Sequence, residues 1–161
     1  MAATAELVWY FAYGSNMQRA TFVGRRGMQP SISRPGRVDG FELRFDLPVG
    51  SGERGVANLA ARAGACVHGV LHQITRAEGE LLDRTEGVDR GYYRRLAVAV
   101  ETAEGQESAF TYASPHGVAG RKPSARYLGL LLAGAQEHGL PAEYMEQLNR
   151  LPLAIDEREP R

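Results

Sequence analysis

Strand-like runs recur along this chain with little room between them. Residues 8–12, 37–47, 56–60, 66–74, 95–100 and 108–113 are apolar or alternating stretches, with Phe41, Leu43 and Phe45 spaced as one face of a half-buried strand. Parallel neighbours need a crossover long enough for a helix, and most of these connections are too short. The spacing therefore predicts an α+β fold whose small, mainly antiparallel sheet twists toward a barrel, with helices at its flank. Segment 48–55, PVGSGERG, collects glycine, proline and charge, as a hairpin connection or mobile lip does.

Helices are signalled by local chemistry. Thr75-Arg76-Ala77-Glu78 is a capping box, and Leu81, Leu82 and Thr85 continue an apolar stripe that Gly87 ends. Ser124 can cap a second helix through Tyr127, Leu128, Leu131, Leu132 and Ala135, stopped at Gly139. Pro141 then stands at the first turn of a last helix through Tyr144, Met145 and Leu148. The tail from Asp156 is expected to fray.

A length of 161 residues suits one domain over 1–161, large enough for a real core. The 19 basic and 19 acidic residues cancel, so no long-range field draws the chain to nucleic acid or an anionic membrane. Cys66 is the sole cysteine, which excludes an intrachain disulfide, and the apolar run at 7–12 is too short for an export signal or a membrane span. A cytoplasmic setting is expected.

The stretch VWYFAYGSNM, residues 8–17, turns from a buried strand straight into Tyr13-Gly14-Ser15-Asn16. Gly14 can take a positive φ, and Ser15 or Asn16 can cap a helix starting near Met17. Two readings stand: an ordinary capped turn, or backbone N–H groups presented to a carboxylate or phosphate. Glu86 is the second residue of interest. In the last turn of the capped helix, beside the stripe of Leu82, it faces the negative end of the helix dipole, and burial would raise its pKa further, as acid–base catalysis requires. An exposed glutamate at a helix end is the alternative.

His68 and His72 form an HxxxH, but on a strand four residues span ~13 Å, too far for one metal. His116 and His138 have no companion ligands in the sequence, so no metal is expected. Cys66 reads as a small buried hydrophobe.

FAYGSNM at 11–17 and LLDRTEGVDRGYYRR at 81–95 together resemble the γ-glutamylcyclotransferase (AIG2-like) family, with its xYGSN loop and LDxxEGVxxGxY stretch. The resemblance extends to GVLHQI before the capped helix and to PSARYLGLLLAGAQEHGLPAEYMEQL near the end, similar to the family's PSxxYxxxxxxGAxExGLPxxY. It implies an α+β fold around a small barrel, with Tyr13, Gly14, Ser15, Asn16 and Tyr93 lining the pocket and Glu86 as catalytic acid/base. Met17 departs from the family's more usual leucine. By alternation, Tyr93 falls opposite the core face of Leu96, Val98 and Val100, which points to the surface.

The implied reaction closes a γ-glutamyl amide on itself and releases 5-oxoproline with a free amine or amino acid, needing no metal or organic cofactor. The implied partner is a small γ-glutamyl substrate, with no nucleic acid or membrane, and a homodimer is compatible. A γ-glutamyl transferase, an amidohydrolase and a non-catalytic γ-glutamyl-binding module are the alternatives on the same scaffold. Contacts to the leaving group are expected from loops 48–55 and 115–123.

Overall fold

The computed structural model describes residues 5–155. Among them, strands β1 (Leu7–Ala12), β2 (Ile32–Pro48), β3 (Gly55–Thr75), β4 (Arg94–Thr102) and β5 (Gly105–Ala113) close into a barrel in the order β1-β3-β2-β4-β5. Neighbours are antiparallel except β1 and β5, which meet in parallel at Tyr10 and Phe110. Thr111 Oγ1 donates to the Phe11 carbonyl across this seam at 2.7 Å. Helices α1 (Arg76–Thr85), α2 (Ala125–Glu137) and α3 (Ala142–Asn149) flank the barrel. The architecture expected from the strand spacing is therefore present.

Local signals placed the helices well. Thr75 Oγ1 accepts from the Glu78 N–H at 3.1 Å while the Glu78 carboxylate accepts from the Thr75 N–H at 3.0 Å, which completes the capping box of α1. Ser124 caps α2 through the Tyr127 N–H at 3.1 Å. Pro141 is itself the N-cap of α3, one position before the first turn.

The strands differ more from expectation. The runs at 56–60 and 66–74 are parts of one strand, β3, because residues 62–65 bulge opposite Gly40 of β2 without breaking the pairing on either side. Gly64, at φ +83, supplies the left-handed residue such a bulge uses. Cys66 follows the bulge and is exposed, not a core residue, since it pairs with the exposed Asp39 while the next pair, Val67 and Val38, takes the core face. β2 also begins five residues early, at Ile32, through a Ser-Arg-Pro-Gly stretch whose composition reads as a turn. The Val49 N–H donates to the Arg54 carbonyl at 3.1 Å, so segment 48–55 is the β2–β3 hairpin connection. The tail from Asp156 lies outside the described residues.

Phe11, Leu71 and Ile74 are completely or almost completely buried in the core. Met17, Phe22 and Met28 extend it beyond β1. The segment carrying them is not the α-helix expected near Met17. It is a 3-10 turn, Ser15–Met17, followed by a π-helical turn, Ala20–Arg25. Neither Ser15 nor Asn16 caps it. Gly14 is the N-cap, at φ −115, so a positive φ is not what selects glycine here. Space is: a Cβ on Gly14 would lie 3.1 Å from the Tyr127 hydroxyl and 3.4 Å from Ala57 Cβ.

Candidate active site

One cavity of about 360 Å³ opens where the 3-10 turn, the end of α1, the start of β3 and the first turns of α2 meet. Tyr13, Gly14, Ser15, Asn16, Glu86 and Tyr93 all line it, so residues separated by up to 80 positions are brought together as the resemblance implied.

Glu86 is the C-cap of α1, its N–H bonded to the Leu82 carbonyl at 2.9 Å. Gly87, at φ +72, ends the helix and turns the chain away, leaving the carboxylate partly buried at the cavity wall. Burial raises its pKa, and the Arg26 charge and a hydrogen bond from Asn16 pull it part of the way back. The direction agrees with the sequence expectation, with burial as the main cause rather than the helix end.

Asn16 organises the wall opposite. Its side-chain Nδ2 donates to the Tyr10 hydroxyl at 3.1 Å and to Glu86 Oε1 at 3.4 Å, while Oδ1 accepts from Arg26 Nε at 3.4 Å. Its carbonyl is 2.9 Å from His72 Nε2. A carbonyl only accepts, so Nε2 carries the proton, and Nδ1 accepts from the Ser33 hydroxyl at 2.7 Å. His72 is thus neutral, stacked 4.1 Å from Phe22, and it ties the turn to the barrel. His68 faces Tyr144 instead, at 4.8 Å, so the HxxxH pair divides between two environments.

Burial depresses His72 to about 4, offset in part by the bond to Asn16. A histidine that stays neutral in the folded state stabilises it fully above the unfolded pKa of about 6.5. That contribution is lost as pH falls toward 4, because the unfolded chain takes up the proton first. The loss should amount to about 3 kcal/mol over the window. Urea unfolding at pH 7 and pH 4 should show it in the wild type and show correspondingly less in His72→Gln, which retains a donor for Asn16 but does not titrate. Equal losses in both proteins would reject this role for His72.

Tyr93 is not on the surface. Alternation counts only within a strand, and Tyr93 precedes β4, so its ring turns inward and its hydroxyl donates to the Ala57 carbonyl at 2.9 Å. The Ala57 N–H in turn donates to the Tyr127 hydroxyl at 3.0 Å. The Ser15 N–H faces that oxygen too, and burial pushes the Tyr127 hydroxyl up to about 12 despite both donors. Tyr127 is the residue sequence reasoning missed. In the first turn of α2 it reads as one more apolar position, and only its place in the PSARY motif pointed elsewhere. The Ser15 N–H, expected to be offered to an anion, is thus met by the Tyr127 hydroxyl. The turn that Gly14 opens is a 3-10 turn of three residues, not an α-helix. The Ser15 and Ala57 N–H groups converge on a phenol, which strengthens its O–H as a donor toward the cavity. Of the two loops expected to meet a leaving group, Val49 and Arg54 line the cavity, whereas none of residues 115–123 does.

The AIG2-like family model matches residues 66–148. The γ-glutamylcyclotransferase of Bos taurus is 32% identical over 146 residues, covering 88% of this chain and 77% of the relative. The Homo sapiens γ-glutamylcyclotransferase is 31% identical with the same coverage. A solved γ-glutamyl cyclotransferase structure superposes with a TM-score of 0.80 at 28% identity, covering 92% of this chain and 89% of that one.

Proposed function

The chain belongs to the AIG2-like, γ-glutamylcyclotransferase family, and from that premise we propose that it is an enzyme cyclising a γ-glutamyl amide to 5-oxoproline, with release of a free amine or amino acid. One observation carries the reading: a partly buried carboxylate of raised pKa, Glu86, faces a cavity of substrate size across from the YGSN turn. In the reaction the substrate's α-amine attacks its own γ-carbonyl. A C–N bond forms to close the five-membered lactam, and the original amide C–N bond breaks. The α-ammonium gives up two protons in all and the departing amine gains two, so a base that shuttles them begins and ends ionised. Glu86 fits that role, since a raised pKa brings the carboxylate closer to the pH at which it both accepts and returns a proton. The Tyr127 hydroxyl is suited to receive a substrate oxygen, and holding the flexible glutamyl chain bent is the main task of the surrounding tyrosines.

The small substrate and the balanced charge, 19 basic against 19 acidic residues, suit a metabolic enzyme of the cytoplasm with no nucleic-acid partner. No helix among the described residues is long and apolar enough to cross a membrane.

Incubation with a panel of γ-glutamyl amides, followed by mass spectrometry, tests the reading. 5-Oxoproline should appear together with the free amine. Glutamate in its place would indicate hydrolysis, and a new γ-glutamyl conjugate would indicate transfer; either would displace the cyclisation. A substrate whose α-carboxylate is converted to the primary amide should lose at least ~10-fold in kcat/KM, since it forfeits at least one charge-assisted hydrogen bond in the pocket. Equal kcat/KM for acid and amide would show that this carboxylate is not gripped.

A further inference from the structure

We propose that Arg26 is a positioning residue that acts through Asn16 to keep the Glu86 carboxylate ionised and oriented toward the cavity. The proposal rests on Glu86 being the proton shuttle. Arg26 is half-buried just beyond the π-helical turn and lines the cavity. Its Nε can only donate, so the 3.4 Å contact to Asn16 fixes which end of the carboxamide is Oδ1. The donor end, Nδ2, must then face Tyr10 and, at 3.4 Å, Glu86 Oε1. With the amide reversed, Oδ1 would meet the carboxylate oxygen, acceptor against acceptor. Arg26 thus determines that Glu86 meets a donor.

The phenols around Glu86 do not supply this. Tyr10 from β1, Tyr13 after it, Tyr93 before β4 and Tyr127 from α2 all feel the Glu86 charge, and burial keeps each of these phenols neutral. Arg26 lines the cavity with them, and its field opposes the burial of Glu86. Removing its charge and its hydrogen bond should therefore leave Glu86 protonated over part of the range in which the base is needed.

The test compares Arg26→Met with Arg26→Lys. Glu86 is followed directly by carbon NMR of protein labelled at the glutamate carboxyl, its resonance identified by its absence in Glu86→Gln. Arg26→Met should raise the Glu86 midpoint and carry the acid limb of kcat/KM to higher pH with it, a displacement of one unit lowering the rate on that limb by ~10-fold. Arg26→Lys, which retains a cation, should restore much of both. Arg26→Gln serves the same comparison if Arg26→Met does not fold. An unmoved Glu86 midpoint overturns the proposal, including the case in which KM rises equally at every pH, which would make Arg26 a substrate contact. Full activity in Glu86→Gln would instead remove the shuttle reading, and the NMR midpoint would still report whether Arg26 sets the ionisation of Glu86.

Discussion

Glu86→Gln should lower turnover by ~100-fold or more while leaving fold and substrate affinity in place, the loss expected when a general acid–base is removed. The carboxamide is nearly isosteric and can still meet Asn16, so neither the 3.4 Å contact nor the cap of α1 need be lost. What disappears is the group that takes a proton from the α-ammonium and returns it to the departing nitrogen. Because burial raises the pKa of Glu86, the wild-type rate should fall on the acid side with a limb above the ordinary glutamate range. The variant's residual rate should lack that limb. Steady-state kinetics from pH 4 to 9, with substrate affinity measured separately by calorimetry, check both statements. Activity within a few-fold of the wild type would remove Glu86 from the chemistry.

Features fixed within a few residues could be read from the sequence, and features set by distant packing could not. The capping box at Thr75 and Glu78 and the Ser124 cap depend on side chains three positions apart, and both are present. The pairing of β4 with β5 follows from a short connection. Tyr93 was misplaced because period-two alternation was carried past the start of β4. Gly14 was matched to a backbone need when the constraint is the Tyr127 hydroxyl, which lies 113 positions away in sequence. Residue type alone suggests a buried Cys66, whereas its register opposite Asp39 puts it on the outer face of the sheet. Motif order brought Glu86 and the YGSN turn together, yet the contact of Arg26 with Asn16 rests on a residue the motifs do not contain.

Gly134→Val should lower both stability and activity although it lies outside the cavity, and the same packing explains why a glycine stands inside α2. A Cβ built there would lie 2.7 Å from Met17 Cβ, 2.7 Å from the Gln18 nitrogen and 2.8 Å from the Met17 carbonyl carbon. Two of these are backbone atoms, which cannot rotate aside, so the helix must move off the 3-10 turn. Overpacking of this kind costs about 1–3 kcal/mol, and a branched side chain against backbone belongs at the upper end. The displaced segment adjoins Asn16, whose carbonyl meets His72 and whose side chain meets Glu86, so a shift of about 1 Å there should lower kcat/KM by ~100-fold as well. Gly129 is the internal control. It lies in the same helix, is exposed, and a Cβ there would meet nothing within 4 Å. Helix propensity alone then operates, and Gly129→Ala should stabilise the protein by about 0.5–1 kcal/mol with activity unchanged. Urea unfolding and kcat/KM on the two variants decide the matter: opposite signs in stability, with activity lost only at Gly134, support the packing of α2 on the turn. Destabilisation of similar size at both positions would mean that the helix, rather than its contact with the turn, is what the glycines serve.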